Sequence, residues 1–239
     1  MMNKKEKLEW NPKLLIVLII IVILCIILNI VNNNKSKEYE TYKQDTSKNY
    51  VYTKYHSDTN KASIPYINVS GEDVSKVNNE IINEATPYLT SSDPNKTVTY
   101  RYNQNKNILS VVLTYRDIDS NDQLTYLYKT YVFDLKNNAH LLSDEEILKK
   151  FNITYAEVNE IMATKMKEKY QDEVSKGYIE KNECDYKCYL NLRNITNYID
   201  NANYYIENSR LVVYKVFEVY SIYGEEDYFT RNDFKFIIK

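Results

Sequence analysis

The chain has 239 residues, a formal net charge of −2 and a sequence pI near 5.9. Because it has no excess of positive charge to neutralise phosphates, nucleic acid is not an expected partner. It contains 25 tyrosines but only 3 glycines and 4 prolines, which leaves few positions for flexible lids or phosphate-binding loops. The codon usage of an AT-rich genome explains the tyrosine excess; a tyrosine-rich binding surface is the alternative explanation.

The first predicted element is a membrane-spanning helix over residues 14–31, a run without any charge, glycine or proline. At about 1.5 Å per residue this helix spans about 27 Å, close to the hydrocarbon thickness of a lipid bilayer. No small-residue cleavage site follows the run, so we expect an uncleaved signal-anchor rather than a signal peptide. Cys25 is then a small apolar residue of the membrane helix.

The lysines that flank the span predict its orientation. Those before it are Lys4, Lys5, Lys7 and Lys13, and those closely after it are Lys35 and Lys37. Because basic residues are retained on the cytoplasmic side, residues 1–13 are predicted to be a cytoplasmic tail and the rest to be extracellular. The expected location is the cell membrane, with a single pass.

Residues 32–60 are polar and are predicted to form a juxtamembrane stalk that ends in a strand at 50–55. Residues 61–239 form the predicted extracellular domain, with a possible sub-boundary near 116–122. Its first strand covers 63–69, and Pro65 places this strand at a sheet edge or at a strand start. Ser70 and Asp73 have the spacing of a capping box. They predict a helix from residue 72 to about 84 or a little beyond, which ends near Pro87.

Three segments with strand composition follow, at 97–102, 108–116 and 123–135, and predict an antiparallel meander. Capping boxes at Ser143 and Thr154 then predict a short helix and a long helix over 155–175. Gly177 is expected just beyond the long helix. The predicted buried stripe of that helix contains Val158, Ile161, Met162, Met166 and Tyr170. Residues 184–199 are ambiguous, and strands are predicted at 203–206, 211–220 and 234–238. The expected fold class is α+β, an antiparallel sheet with helices packed on one face.

Cys184 and Cys188 are the two cysteines outside the predicted membrane helix. An even pair in an oxidising compartment predicts a disulfide, with two free thiols as the alternative. The C-x3-C spacing can close across a turn, although it is strained on a regular helix. It is neither a redox C-x-x-C motif nor part of a zinc cluster, so no metal and no cofactor are expected.

The sequence shows no catalytic constellation. A serine hydrolase would require His56 or His140, the only two histidines, and a zinc hydrolase would require a histidine cluster. Two acid groups could imitate a glycosidase pair, namely Glu145 with Glu146, and Glu225 with Glu226 and Asp227. Acids at a helix start or in a polar turn are more simply explained as solvated surface. We therefore predict no catalytic residues and no enzyme.

Tyrosines of the predicted meander are the candidate binding surface, because tyrosine offers a large rigid face at little rotamer entropy. The candidates are Tyr100, Tyr102, Tyr115, Tyr126, Tyr128 and Tyr131. Tyr128 and Tyr131 have opposite parity on one strand. If only one face of the sheet is buried, one of the two should point away from the core.

Several motifs, taken in order, resemble the PdaC/RsiV-like extracellular domains. Residues 64–69 and 77–81 (IPYINV and VNNEI) resemble that family's opening IPYINI…KIN-x-EI. Residues 131–136 and 141–147 resemble its Y-x-FDLKTG…L-x-L-x-DL segment. Residues 204–214, 217–220 and 234–236 resemble its FYI-x-x-GLVVYF strand pair and its YEIA…F-x-IP end. The resemblance covers about residues 61–239.

This resemblance implies an α+β extracellular domain of low-GC Gram-positive bacteria. The family occurs on anti-sigma factors whose outer domain senses lysozyme, and beside peptidoglycan deacetylase domains. The tail of residues 1–13 is too short to wrap a sigma factor, no catalytic domain is expected, and Asn137-Asn138 replaces the family's Thr-Gly. The expected function is a membrane-anchored binding or sensing module for a lysozyme-type protein or peptidoglycan. The alternatives are an enzyme acting on cell-wall glycan, and a signalling relic of an anti-sigma factor.

Overall fold

The computed structural model describes residues 40–41, 49–118, 124–193, 195, 197–220 and 229–239. They belong to one compact unit, Tyr39–Lys239. The predicted cytoplasmic tail and the predicted membrane helix at 14–31 lie outside these residues. Among the helices that the structure does describe, none has the length and apolarity needed to cross a bilayer.

The unit begins with a small antiparallel sheet of β1 (Glu40–Thr41), β2 (Val51–Ser57) and β3 (Ala62–Ile67), in that order. Val51 is only 2% exposed and packs in the core. The predicted boundary between stalk and domain at residue 60 is therefore too late, because β2 already belongs to the folded unit. Pro65 lies on edge strand β3, beside a register shift in β2, as its missing N–H group requires.

Helix α1 (Glu72–Leu89) has no side-chain cap at its start, where Gly71 occupies the N-cap position. The predicted capping box of Ser70 and Asp73 is therefore wrong. The Asp73 carboxylate instead accepts hydrogen bonds from a distant segment, the Leu141 N–H group and the His140 ring. Gly71 packs closely against the backbone of Asn138, since a Cβ atom at position 71 would lie 2.6 Å from the Asn138 carbonyl oxygen.

The end of α1 also lies beyond the predicted one. Pro87 occupies the last turn, where its missing N–H group deprives only the exposed Asn83 carbonyl of a donor. The helix continues because Leu89 is buried in the core. The Asn60 side-chain amide then caps the helix end, donating to the carbonyl groups of Tyr88 at 3.0 Å and Ser91 at 2.6 Å.

The central sheet is the predicted meander, with β4 (Thr97–Asn105), β5 (Ile108–Ile118), β6 (Leu124–Asp134) and the short β7 (His140–Leu141) in sequential antiparallel order. This prediction is confirmed. The β5–β6 ladder continues to the pair Ile118 and Leu124. Because the strands on either side of the suggested sub-boundary near 116–122 pair directly, this position does not separate two domains.

Three helices follow, α2 (Asp144–Phe151), α3 (Tyr155–Ser175) and α4 (Tyr186–Asn191). Both predicted capping boxes are present, and α3 has its predicted bounds. Four residues of its predicted stripe are buried, while Ile161 is half-buried. Gly177 has φ +73° and ends α3 in a Schellman motif. In that motif the Tyr178 N–H group donates to the Glu173 carbonyl, and the Gly177 N–H group donates to Val174.

A third antiparallel sheet contains β8 (Asn203–Glu207), β9 (Arg210–Tyr220) and β10 (Phe229–Ile237), in the order β10-β9-β8. One face of β9 packs Leu211 and Val213 against the helices α2 to α4. Its other face packs Val212 and Tyr214 against Val112 and Tyr128 of the meander. The apolar run 211–214 is thus typical of a strand buried on both faces.

The α+β class with antiparallel sheets and helices is confirmed, but the arrangement of helices on one face of a single sheet is wrong. The meander packs α1 on one face through Leu109, Val111 and Leu113. Its other face is covered by the third sheet, whose outer face carries the remaining helices. Because β5 has apolar residues on both faces, Leu109, Val111 and Leu113 on one and Ile108 and Val112 on the other, both faces require a cover.

Candidate functional site

The candidate site is a cleft of about 320 Å³ at one end of the meander and the third sheet, where several turns meet. We call it the turn cleft. It is formed by the β4–β5 turn, the end of β6, the C-terminus of α2 and the β8–β9 turn. Its lining residues are Asn105, Lys106, Asn107, Ile108, Asp134, Lys136, Lys150, Phe151, Ile206 and Ser209.

Asparagine side chains hold the turns of the cleft in place. Asn103 of β4 accepts a hydrogen bond from the Asn208 N–H group at 3.1 Å and donates to the Asn208 side chain at 3.0 Å. Asn105 donates to the Ser209 hydroxyl group. Asn208 and Ser209 have φ of 51° and 65°, the left-handed pair that favours a tight hairpin turn. The β8–β9 turn is therefore fixed to the meander edge.

One side of the cleft is the C-terminus of α2. Asn152 has φ 49° and ends this helix in a left-handed cap, with its N–H group bonded to Leu148 and Lys149. The Lys239 ammonium group donates to the Phe151 carbonyl oxygen at 2.7 Å. A cation is favourable at this position, because the carbonyl end of a helix carries partial negative charge.

The charged residues of the cleft are one ion-paired aspartate with its lysine, and two lysines that lack an ion-pair partner among the residues that the structure describes. Asp134 accepts from the Lys150 ammonium group at 3.0 Å and from the Lys136 N–H group at 3.1 Å. The hydrogen bond from Lys150 lowers the pKa of Asp134 below its usual value. The ammonium groups of Lys106 and Lys136 have no ion-pair partner within the described part of the chain. They flank an apolar floor of Ile108, Phe151 and the buried Ile206.

The structure buries three of the six tyrosines predicted to form a binding surface, so the six do not lie together on one exposed surface. Tyr102 is 42% exposed and Tyr100 and Tyr126 are half-buried, but the other three are buried. Those three are Tyr115, Tyr128 and Tyr131. Tyr128 and Tyr131 do face opposite sides of β6, as their parity predicts. The expectation that one of them is exposed is nevertheless wrong, because each side of the sheet has a core of its own.

These tyrosines have structural contacts. The Tyr131 hydroxyl group donates to Glu80 of α1 at 3.0 Å, and the Tyr128 ring stacks on Tyr214 at 5.1 Å between centroids. The Tyr100 and Thr53 hydroxyl groups are 2.9 Å apart and join the meander to β2. Much of the tyrosine content of the meander is therefore used inside the fold.

Cys184 and Cys188 form a disulfide in the structure, with Cα atoms 5.3 Å apart. Cys184 lies before the N-cap residue of α4, Asp185, whose side chain accepts a hydrogen bond from the Cys188 N–H group at 2.8 Å. The bond therefore crosses the start of a helix and does not join two positions along a regular helix, which is the arrangement that would be strained.

We expect mass spectrometry of a non-reduced digest to show the peptide with both cysteines two hydrogens lighter than its reduced form. The double variant Cys184→Ser, Cys188→Ser should remain folded. Because the closed loop is very short, the loss in unfolding free energy should be about 2 kcal/mol or less. Free thiols that can be alkylated in the protein isolated without reductant would contradict the disulfide.

His140 joins the starts of two helices. Its Nδ1 atom lies 3.0 Å from Asp73 of α1, and its Nε2 atom lies 3.4 Å from Glu146 of α2. The hydrogen bond with Asp73 raises the pKa of His140, and the Leu141 N–H group lowers the pKa of Asp73. The three side chains form a polar cluster that connects the start of α1 to the start of α2. Sequence reasoning missed it because Asp73 is 67 positions before His140.

His56 lies in a surface row with two other side chains. Its Nδ1 atom is 2.8 Å from the Ser63 hydroxyl oxygen, and its Nε2 atom is 2.7 Å from an Asp58 carboxylate oxygen. These residue types match a hydrolase triad, but the Asp58 side chain is 92% exposed. In a triad the acid is buried and fixes the imidazole, so this row is a solvated hydrogen-bond network.

The acid groups weighed as a glycosidase pair have other positions. Glu146 belongs to the capping box of α2, and the Ser143 N–H group lowers its pKa. Glu145 is an exposed residue in the first turn of that helix. Glu225, Glu226 and Asp227 lie outside the described residues. Among the residues that the structure does describe, no group of three or more histidine, cysteine or acidic side chains could hold a metal ion.

A comparison with protein-family models finds no family that matches the chain, and a comparison with curated proteins finds no match either. The resemblance to the PdaC/RsiV-like domains therefore stays a prediction that depends on the quoted motifs.

Proposed function

We propose that this protein is a membrane-anchored extracellular binding module that senses or captures a lysozyme-type protein or cell-wall material. We also propose that the turn cleft is its binding site. The observation that carries this proposal is that Lys106 and Lys136, which have no ion-pair partner among the described residues, lie beside an apolar floor. The apolar run 14–31 and its lysine bias support the anchor and its orientation. The Cys184–Cys188 disulfide supports an oxidising, extracellular compartment.

Binding fits the lining of the cleft better than catalysis does. Among the lining residues, Asp134 is the only acid, and it is held by Lys150. Hydrolysis of a glycosidic bond requires two carboxyl groups, one of which must donate a proton. A carboxylate with a lowered pKa beside a lysine is a poor proton donor at neutral pH. We therefore propose a non-enzymatic function.

The topology can be tested by protease treatment of intact cells. We expect external protease to remove the folded domain and to leave a small anchored fragment that contains residues 14–31, because the domain is translocated and the anchor is uncleaved. A cytoplasmic protein in the same cells should remain intact as the control. A domain that survives the treatment, or a mature N-terminus near residue 32, would overturn this topology.

The ligand can be tested by titration of the purified full-length chain in mild detergent, first with lysozyme and then with peptidoglycan fragments. We expect saturable binding to one of the two. The double variant Lys106→Asn, Lys136→Gln should weaken that binding by about tenfold, since each ammonium group offers a charge-assisted hydrogen bond. Lys149→Gln is the matched control, because Lys149 is an exposed lysine of the same region that does not line the cleft. Absence of binding to both ligands would contradict the sensing function.

A further inference from the structure

The charge of the turn cleft defines the first requirement for a ligand. Three lysines and one aspartate line it, and that aspartate is already satisfied by Lys150 and by the Lys136 N–H group. The ammonium groups of Lys106 and Lys136 therefore have no acid of the chain as an ion-pair partner in the described residues. A ligand that fits them carries an anionic oxygen group.

The floor of the cleft defines the second requirement. Ile108 and Phe151 are half-buried, and Ile206 is 5% exposed at its base. A bare inorganic anion would leave this apolar surface wet, whereas an aliphatic group beside the anion would cover it and gain free energy from burial. The ligand should therefore carry a small apolar arm next to its negative charge.

The amide groups of the cleft define the third requirement. The Asn107 main-chain carbonyl accepts from the Leu135 N–H group at 2.7 Å. Its half-buried side-chain amide makes no hydrogen bond to the described part of the chain. That amide offers both a donor and an acceptor, which matches a peptide group. A volume of about 320 Å³ lies at the small end of ligand pockets and suits a ligand of about dipeptide size.

From these three requirements we infer that the turn cleft binds the free carboxylate end of a short peptide with small aliphatic residues. Lys106 and Lys136 bind the carboxylate, the floor accepts the terminal side chain, and Asn107 bonds to the last peptide group. This inference rests on the proposed function, and it names the chemical class of the ligand that the module would take.

The test uses the full-length chain in mild detergent, with calorimetric titration of alanyl-alanine in its L,L and D,D forms. We expect at least one form to bind. The same dipeptide with an amidated C-terminus should bind at least about tenfold more weakly, because it lacks the charge that pairs with the lysines. Added salt should weaken binding of the free carboxylate form.

Lys106→Asn with Lys136→Gln should reduce dipeptide affinity by about tenfold or more, and Lys149→Gln should leave it unchanged. Asn is used at position 106 because the backbone there has φ 53°, which Asn tolerates. An unchanged circular dichroism spectrum of the double variant would show that the fold is intact. Equal affinity for the amidated dipeptide, equal affinity for inorganic phosphate, or binding unaffected by the double variant would each overturn the inference.

Failure of this inference can be separated from failure of the proposed function. Suppose that neither dipeptide binds, but peptidoglycan fragments or lysozyme bind and the double variant weakens that binding. The proposed binding function is then supported and the peptide inference is wrong. If none of these ligands binds, both fall.

Discussion

Replacement of Asn78 by alanine is expected to lower the free energy of unfolding by about 2–5 kcal/mol, because it leaves two buried main-chain groups unpaired. Asn78 lies in α1 and is 4% exposed. Its side chain accepts from the Ile67 N–H group at 2.8 Å and donates to the Ile67 carbonyl at 2.9 Å. The Asn78 side-chain amide thus forms the two hydrogen bonds with Ile67 that a neighbouring strand would otherwise form.

Chemical denaturation of the full-length chain, followed by circular dichroism, measures this loss. Asn79→Ala is the matched control, since Asn79 is the exposed neighbour on the same helix, and its loss should stay within about 0.5 kcal/mol. A loss below about 1 kcal/mol for Asn78→Ala would show that water or a local shift satisfies the Ile67 groups. The role given to Asn78 would then be wrong.

The second large effect is expected at Tyr214, where alanine should cost about 3–5 kcal/mol of unfolding free energy, as for other buried aromatic residues. Tyr214 is 3% exposed and contacts the rings of Tyr128 at 5.1 Å and Tyr205 at 6.0 Å between centroids. Its hydroxyl group accepts a hydrogen bond from Arg101 at 2.7 Å. It is therefore the centre of the aromatic cluster that joins the meander to the third sheet.

Two comparisons divide this effect into its parts. Tyr214→Phe keeps the ring and loses only the hydrogen bond with Arg101, so its cost should be about 1–2 kcal/mol. Tyr102→Ala removes a tyrosine that is 42% exposed and should cost less than about 1 kcal/mol. Equal losses for Tyr214→Ala and Tyr102→Ala in the same denaturation experiment would contradict the buried role of Tyr214.

The parts of the fold that the sequence predicted depend on chemistry within a few residues. The Ser143 and Thr154 boxes satisfy N–H groups one helical turn away, and Gly177 satisfies the carbonyl end of α3 in the same manner. The β-branched and aromatic composition of the three meander segments likewise predicts strands. Such signals can be recognised from the sequence because both partners of each interaction lie in one short segment.

The errors concern partners that are distant in the sequence. Asp73 has the spacing of a capping residue, but the Leu141 N–H group and His140 compete for its carboxylate. The prediction of Tyr128 as a surface residue fails because Tyr214 of a later sheet covers its face. Local spacing contains no information on these competitors.

The turn cleft was missed for the same reason, since it assembles from four separate connections. Lys106, Lys136 and Ser209 each belong to an ordinary polar turn. Only the structure shows that Lys106 and Ser209 of these turns adopt positive φ. That conformation is uncommon for these residue types and can accompany a functional constraint.

The meander contributes one face to each of two hydrophobic cores, and this arrangement determines how the domain unfolds. Leu113 contributes to the core with α1, while its neighbour Val112 contributes to the core with the third sheet. Neither core can open without exposing one face of the same strand. The parts of the domain on the two sides of the meander should therefore unfold together as one cooperative unit.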